Sequence, residues 1–254
     1  WLEEGVRIVV DCTGNFLDPN ISPEKGVPCL RGHLAAGALK VICSAPFKSK
    51  AAVMEDNPDT ITMIYGINHL NYDNKKHHII SAASCTTTGL AHMIKPLLEH
   101  KETANIMTAS MSTIHAATNS QSILDSVPKA GASDLRKTRS VFNNIILSTT
   151  GVSKALELVM PEIKNIGFMA DSVRIPTNTV SLINLNVTFH AELNELGQPN
   201  ITRKLINDIY KQAAEGPQNG LLMYTERQNV SADMIGNMAA VVIEANETHT
   251  RTSF

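Results

Sequence analysis

The chain has 254 residues, 43% of them hydrophobic and 18% charged, with a formal net charge of -2 at pH 7. It is long enough to bury the core of one large domain or two modest ones, and its charge excludes a general attraction to nucleic acid or anionic membranes. No apolar run approaches the roughly 20 residues that span a bilayer, and Trp1–Glu4 has neither the basic nor the apolar region of a signal peptide.

The cysteines argue against a metal site and against a disulfide framework. Cys12, Cys29, Cys43 and Cys85 form no CxxC pair and no ligand-like grouping with the nine histidines, so no metal is expected. Four thiols in a chain of this size suit a reducing cytoplasm. Each thiol is then either a small buried hydrophobe or a reactive group.

The first third of the chain alternates strand-like and helix-like segments. Apolar runs at Val6–Val10, Lys40–Ser44, Thr60–Tyr65 and His78–Ser81 predict strands, and Gly32–Leu39 the end of a helix. This alternation predicts a doubly wound, parallel α/β sheet. Because its strands begin almost at once, we expect the chain to lack the beginning of this domain.

The next segments predict a helix and then two strands rich in β-branched residues. Five apolar residues recur on one helical face: Leu90, Met93, Ile94, Leu97 and Leu98. Pro96 predicts a kink or an early end there. Farther on, the β-branched runs Gly167–Ile175 and Val180–Phe189 are joined by a short Pro-Thr-Asn turn, which favours an antiparallel pair. Asn200 is the predicted N-cap of a helix that ends near Gly216.

These patterns place a domain boundary near Ser81. Residues 1–81 are interpreted as the remnant of a doubly wound, Rossmann-like sheet. Residues 82–254 are interpreted as an α+β catalytic domain with a mixed or antiparallel sheet.

The segment SAASCTTTG, residues 81–89, places Cys85 where a strand gives way to a helix. The first N–H groups of a helix have no internal acceptor, and the helix dipole favours an anion there. A thiol at such a place loses its proton more readily, and the same amides stabilise an oxyanion. The hydroxyls at 84 and 86–88 suit a cap and an anion pocket.

A second segment, MSTIHA at 111–116, supplies a partner for that thiol. His115 stands at the end of a predicted strand, 30 residues after the cysteine. A reactive thiol needs such a base to take its proton. Taken alone, Cys85 is more often a buried, inert thiol and His115 more often a satisfied core histidine.

Together the two segments resemble the phosphorylating glyceraldehyde-3-phosphate dehydrogenase family, whose corresponding segments read S-N-A-S-C-T-T-N and M-T-T-V-H-A. The likeness continues in order along most of the chain. It includes VVDCTGNF (9–16), KVICSAPF (40–47), YGINH (65–69), DLRKTR (134–139), NNIILSTTGVSKAL (143–156), MADSVRIPTNTVSLINL (169–185) and AAEGPQNGLLMYTERQNVSADM (213–234).

The resemblance implies a reaction: oxidation and phosphorylation of glyceraldehyde 3-phosphate to 1,3-bisphosphoglycerate through a cysteine thioester, as in glycolysis. It implies Cys85 as nucleophile and His115 as base. The phosphate-binding residues that it implies are Thr118 and Arg174 for the substrate, and Ser84, Thr150 and Gly151 for the attacking phosphate. Thr86 is implied as a further substrate- or phosphate-binding residue, without assignment to either site. It also implies that Thr13, Gly14 and Ser44 contact NAD, and that the protein is a cytoplasmic homotetramer.

Several residues depart from the family pattern. Ala82 and Thr88 replace asparagines, and Lys137 replaces an arginine, which exchanges a planar fork for a point charge. None of the fourteen glycines forms the G-x-G-x-x-G turn of a dinucleotide site, and the family's nicotinamide-contacting asparagine lies beyond Phe254. We therefore expect only the second part of the nucleotide domain here, and a truncated C-terminus, and NADP stays open beside NAD.

Three alternatives stay open. An erythrose-4-phosphate dehydrogenase shares the cysteine, the histidine and DLRKTR, although STTG at 148–151 favours the glyceraldehyde-3-phosphate type. A truncated or degenerate member would bind without catalysis. A thiol hydrolase would use the same Cys–His pair, but no third, orienting residue is recognisable.

Overall fold

The structure is a computed structural model that describes residues 1–48 and 57–252. The chain divides into two compact units. One comprises Trp1–Ala91 with Lys154–Pro161, and the other His92–Ser153 with Glu162–Phe254. The boundary at residue 81 stays a prediction.

The first unit is built on the expected parallel sheet. Its strands are β1 (Ile8–Asp11), β2 (Lys40–Cys43), β3 (Thr60–Thr62) and β4 (Ile79–Ser81). They lie in the order β1-β2-β4-β3, and every pair is parallel. This order requires crossover connections, one of which contains helix α1 (Leu30–Ala35). Leu30, Val41, Cys43 and Ile79 form the core between α1 and the sheet.

Helix α1 ends at Ala35 and not near Leu39 as the pattern predicted. Gly37 adopts φ 104, a conformation that ends a helix and that favours glycine. A Cβ at this position would lie 2.5 Å from the Cβ of Leu2, so the backbone there leaves no space for a side chain. The N–H of Leu39 then bonds to Arg7 O at 2.8 Å, which brings the chain to the start of β2.

One arginine connects α1 to two loops of the first unit. Arg31 donates to both carboxylate oxygens of Asp59, to Asn57 Oδ1 and to Pro19 O, over 2.6–2.9 Å. Hydrogen bonding to this guanidinium holds the pKa of Asp59 below its ordinary value. The planar fork matches the carboxylate in a way that a lysine could not.

The second unit contains a mixed sheet of four strands: β5 (Ile106–Ala116), β6 (Ile146–Ser148), β7 (Gly167–Ile175) and β8 (Ser181–Phe189), in the order β6-β7-β5-β8. A separate parallel pair joins β9 (Leu222–Thr225) to β10 (Val241–Glu244). Helix α4 (Arg203–Glu215) packs its buried face, which includes Ile206, Ile209 and Tyr210, into a core shared with Ile106 and Leu222. The combination confirms the predicted fold class.

The predicted antiparallel pairing of Gly167–Ile175 with the next strand is wrong. β5 lies between them, parallel to β7 and antiparallel to β8. The joint between β7 and β8 bonds instead to the end of β5, where Ala116 N donates to Val180 O and Ala117 N donates to Thr177 O. β7 and β8, which are consecutive in the sequence, are therefore separated in the sheet by β5, a strand 50 residues earlier in the chain.

The predicted N-cap at Asn200 is also wrong. Helix α4 begins at Arg203, and its cap is Thr202, whose side chain accepts from the N–H of Leu205. Thr202 is in the extended conformation that an N-cap needs. The helix ends next to Gly216, as predicted.

Helix α2 (Cys85–Glu99) and helix α3 (Val152–Val159) complete the fold. α2 continues beyond Pro96, which lacks the N–H that would bond to the carbonyl of His92. Buried Gln218 replaces that donor, since its Nε2 lies 3.2 Å from His92 O and 2.7 Å from His92 Nδ1. The amide has one hydrogen for each acceptor. A side chain from outside the helix thus makes the proline tolerable.

This arrangement predicts energetic coupling between Gln218 and Pro96. Gln218→Leu should lower the free energy of unfolding by about 1–3 kcal/mol, because two buried acceptors lose their donor. In a Pro96→Ala background the loss should be smaller by about 1 kcal/mol, since the substituted alanine supplies its own N–H to His92 O. Denaturant unfolding of the four proteins measures the coupling, and strictly additive losses would contradict it.

Candidate active site

In the first unit, the candidate residues follow the carboxyl ends of three parallel strands. Thr13 and Gly14 come after β1, Ser44 comes after β2, and the cysteine segment comes after β4. Backbone bonds of 2.9 Å connect these strand ends, from Ser44 N to Asp11 O and from Ala82 N to Cys43 O. Ligands of open parallel sheets bind at this edge.

Asp11 shapes the turn after β1. Its Oδ1 accepts from the backbone N–H and the hydroxyl of Thr13, at 2.8 and 2.7 Å. Gly14 follows with φ 67, and nothing lies within 4 Å of where its Cβ would be. The other oxygen, Asp11 Oδ2, is buried without a hydrogen-bond partner in the described residues, and its ion-pair contact with His33 Nε2 is 3.9 Å long. Asp11 was not predicted from the sequence, although Asp-x-Thr-Gly is the spacing of an Asx turn.

Cys85 is the first residue of α2, as the sequence predicted, and it is exposed. Ser84 caps the helix, since its Oγ accepts from Thr87 N at 3.1 Å and lies 2.7 Å from Thr87 Oγ1. The Sγ of Cys85 lies 4.0 Å from the hydroxyl of Thr86. The helix dipole at this position favours the thiolate form of a cysteine.

The backbone before the cysteine is strained. Ala83 is buried and adopts φ 58, a left-handed conformation that is unusual for a residue with a side chain. Its N–H donates to Ser81 Oγ, which itself donates to Ala45 O. These bonds hold the turn that leads from β4 into α2.

In the second unit, His115 and Arg174 are neighbours across the parallel pair β5 and β7. Arg174 Nη1 lies 2.5 Å from His115 Nδ1, and both atoms approach the carbonyl oxygen of Ala116. Both side chains were predicted from the sequence, but in separate roles. Their contact depends on the strand order, which the sequence pattern did not reveal.

Thr118 lies in the exposed loop that follows β5. Its hydroxyl is 2.9 Å from Ser120 Oγ and 3.0 Å from Gln121 Oε1, and its N–H donates to the same amide oxygen. Gln121 therefore orients both polar groups of Thr118. It was not predicted from the sequence.

Thr150 and Gly151 lie immediately before α3, as predicted. The hydroxyl of Thr150 accepts from Val152 N at 3.3 Å, which makes it a cap. Gly151 is exposed, and a Cβ there would meet nothing within 4 Å. The start of a helix beside a residue without a side chain leaves backbone N–H groups open to an anion.

The structure thus divides the predicted residues between the units. Thr13, Gly14, Ser44, Ser84, Cys85 and Thr86 belong to the first. His115, Thr118, Thr150, Gly151 and Arg174 belong to the second. No group of three or more histidine, cysteine or acidic residues in the described part of the chain is arranged to hold a metal ion. No helix described by the structure is long and apolar enough to cross a membrane.

Comparison with known proteins agrees with this description. Residues 84–253 match the family model of the glyceraldehyde 3-phosphate dehydrogenase C-terminal domain. The chain is 39% identical to "Glyceraldehyde-3-phosphate dehydrogenase" of Geobacillus stearothermophilus over 249 residues, and 39% identical to "Glyceraldehyde-3-phosphate dehydrogenase 1" of Bacillus subtilis over 248. Each match covers 98% of this chain and 64% of the relative. The chain therefore spans just under two thirds of the length of these relatives.

Proposed function

This chain belongs to the glyceraldehyde-3-phosphate dehydrogenase family, and we propose that it serves the NAD-dependent oxidation and phosphorylation of glyceraldehyde 3-phosphate. One observation carries the proposal: the region that matches the family begins at Ser84, directly before an exposed cysteine at the first turn of a capped, 15-residue helix. Such a position activates a thiol for attack on a carbonyl carbon.

In the proposed reaction, the Cys85 thiolate forms a C–S bond with the aldehyde carbon. His115 takes the hydroxyl proton of the resulting hemithioacetal as that carbon is oxidised to a thioester. The hydride that leaves the same carbon, with the two electrons of its C–H bond, would be taken by NAD when it is bound. An oxygen of inorganic phosphate then attacks the thioester carbon and the C–S bond breaks, which returns Cys85 as thiolate and releases an acyl phosphate. The thioester conserves part of the oxidation energy for this transfer.

Two anion sites support this sequence of steps. Arg174 offers a planar fork to the substrate phosphate, with Thr118 nearby in the chain after β5. Ser84, Thr86, Thr150 and Gly151 are assigned to the attacking phosphate, at the starts of α2 and α3, where unbonded N–H groups favour an anion. Ser84 and Thr150 serve as helix caps as well.

The residues at the sheet edge of the first unit fit a nucleotide cofactor. Gly14 leaves open space beside the turn, and the buried Asp11 Oδ2 is an acceptor that a bound hydroxyl or amide would satisfy. Thr13, Gly14 and Ser44 would hold the part of NAD next to Cys85 in this unit. These residues do not distinguish NAD from NADP. The exposed thiols of Cys12 and Cys85 suit the cytoplasm as its location.

We further propose a homotetramer, as the family resemblance implies. One face of the mixed sheet bears an apolar row that crosses all four of its strands: Leu147, Val173, Ile114 and Leu182. Leu147 and Leu182 are more than half exposed in the single chain. An apolar row of this kind is typical of a surface that a second copy covers.

The thiol is tested by alkylation, with Cys12 as an internal reference because it is the other exposed cysteine. Iodoacetamide should modify Cys85 about tenfold faster than Cys12 below pH 7, since a helix start and a basic partner favour the thiolate. His115→Ala should remove most of this excess. Peptide mass spectrometry measures both rates. Equal rates with the same pH dependence, unaffected by His115→Ala, would favour a non-catalytic family member.

The two phosphate sites are tested by a reciprocal pair of variants. Gly151→Ala adds a methyl that the fold accommodates but that crowds the attacking phosphate, so the KM for inorganic phosphate should rise about 10–100-fold. Thr118→Val should instead raise the KM for glyceraldehyde 3-phosphate by a similar factor. Steady-state NADH formation measures both. Oxidation that proceeds without phosphate would indicate a hydrolase, and a higher kcat/KM for erythrose 4-phosphate would indicate the other dehydrogenase.

The apolar row is tested by Leu182→Glu. A carboxylate buried there should dissociate the assembly, because desolvating an unpaired charge costs several kcal/mol. Leu70→Glu, at a position 87% exposed in the first unit, is the control that should leave it intact. Light scattering coupled to gel filtration measures the mass. A monomeric unmodified protein would refute the assembly.

A further inference from the structure

One segment of the first unit is held by a histidine that accepts a backbone hydrogen bond and by a lysine that donates two. This segment, residues 72–78, leads directly into β4, and we call it the clasp. Within it, His77 N donates to Asp73 O at 2.8 Å, and Asp73 N donates to His77 Nδ1 at 3.0 Å. From the first residue of β2, Lys40 Nζ donates to Asn74 O and to His77 O, both at 2.5 Å.

The bond between Asp73 and the imidazole requires an unprotonated Nδ1 on His77. A backbone N–H can only donate, so the nitrogen that it meets must offer a lone pair. Within residues 1–48 and 57–252, Asp73 N is the one hydrogen-bond partner of this Nδ1. The neutral ring therefore has its hydrogen on Nε2. A second proton would have to go to Nδ1, where it would face the hydrogen of Asp73 N and break the bond.

The surroundings of His77 also disfavour a charged ring. His77 is only 7% exposed, and the ring of Tyr72 lies 6.0 Å from its own, between centroids. The charged groups that face it come from the clasp, from the start of β2 and from the residue before β3: Lys76, Asp73, Lys40 and Asp59. Lys40 Nζ also lies 3.5 Å from Nδ1 of the neighbouring His78.

Burial prevails among these influences. Burial first, and then the charge of Lys76, hold the pKa of His77 below its ordinary value, and Lys40 acts in the same direction. The carboxylates of Asp73 and Asp59 oppose the shift without reversing it. The closed clasp therefore excludes a proton that the same histidine would bind in water.

We propose that the clasp is an acid-sensitive device, closed while His77 is neutral and opened when His77 takes up a proton. The proton removes the acceptor of Asp73 N and adds a positive charge beside Lys40, whose two bonds hold the clasp against β2. In an open clasp the ring has its ordinary pKa of about 6.5. The stability that the neutral ring contributes is complete above that pH and is lost as the pH falls below it. The device is independent of the reaction proposed for the chain.

Opening is measured by hydrogen exchange with mass spectrometry on peptides that cover residues 72–78, corrected for the intrinsic effect of pH on exchange. Between about pH 7.5 and 5.5, the opening constant of the unmodified protein should rise about tenfold, because only the open clasp binds the proton. In His77→Asn the rise should be less than about twofold, since the asparagine Oδ1 can accept from Asp73 N but does not titrate.

His69→Asn is the matched control. His69 also accepts a backbone N–H at Nδ1, from Gly66 at 3.0 Å, but it lies before the clasp. This variant should keep the response of the unmodified protein. A response that persists in His77→Asn, or that His69→Asn removes equally, overturns the proposal.

The ring itself gives a second readout, by 15N NMR of protein labelled at histidine. The His77 signals are assigned by their loss in His77→Asn, and His77→Gln provides the same assignment if the asparagine variant does not fold. At neutral pH, His77 should have a hydrogen on Nε2 and none on Nδ1, and it should titrate below about pH 6.5. A hydrogen on Nδ1 at neutral pH, or titration at the ordinary value or above it, overturns the proposal.

Discussion

The placement of β5 between a parallel and an antiparallel neighbour is the constraint on which the second unit depends. β5 is 11 residues long, and its register with β7 pairs His115 with Arg174. The same register, continued to β6 and β8, aligns the apolar row proposed as an interface. Because side chains alternate between the faces of a strand, a slip of one residue would separate both sets at once.

The end of β5 is fixed by a joint that stores strain. Val180 adopts φ 69, an outlier for a β-branched residue, at a cost of about 1–3 kcal/mol. Its carbonyl accepts from Ala116 N, and Thr177 O accepts from Ala117 N. These bonds hold the backbone around the carbonyl of Ala116, which is the acceptor that His115 and Arg174 share.

Sequence patterns predicted the local features of this molecule and failed where distant segments meet. The parallel sheet, the helix start at Cys85 and the helix start after Gly151 were correct, because each depends on a few adjacent residues. The predicted pairing of β7 with β8 was wrong. The strand that lies between them, β5, is 50 residues earlier in the chain, and the local sequence of β7 and β8 does not show that β5 pairs with both. For the same reason the sequence could not show that Arg174 contacts His115, or that Gln218 replaces the donor that Pro96 lacks.

Strain and function coincide in both units. Three residues other than glycine have positive φ in the described part of the chain, and asparagine, at Asn143, tolerates this conformation well. The other two are Ala83, two residues before Cys85, and Val180, bonded to the residue after His115. Neither conformation would persist unless surrounding bonds required it. In each unit, a strained backbone conformation therefore lowers the stability of the fold and fixes the backbone beside the proposed reactive side chain. This is expected if small displacements of the thiol or the imidazole reduce the reaction rate.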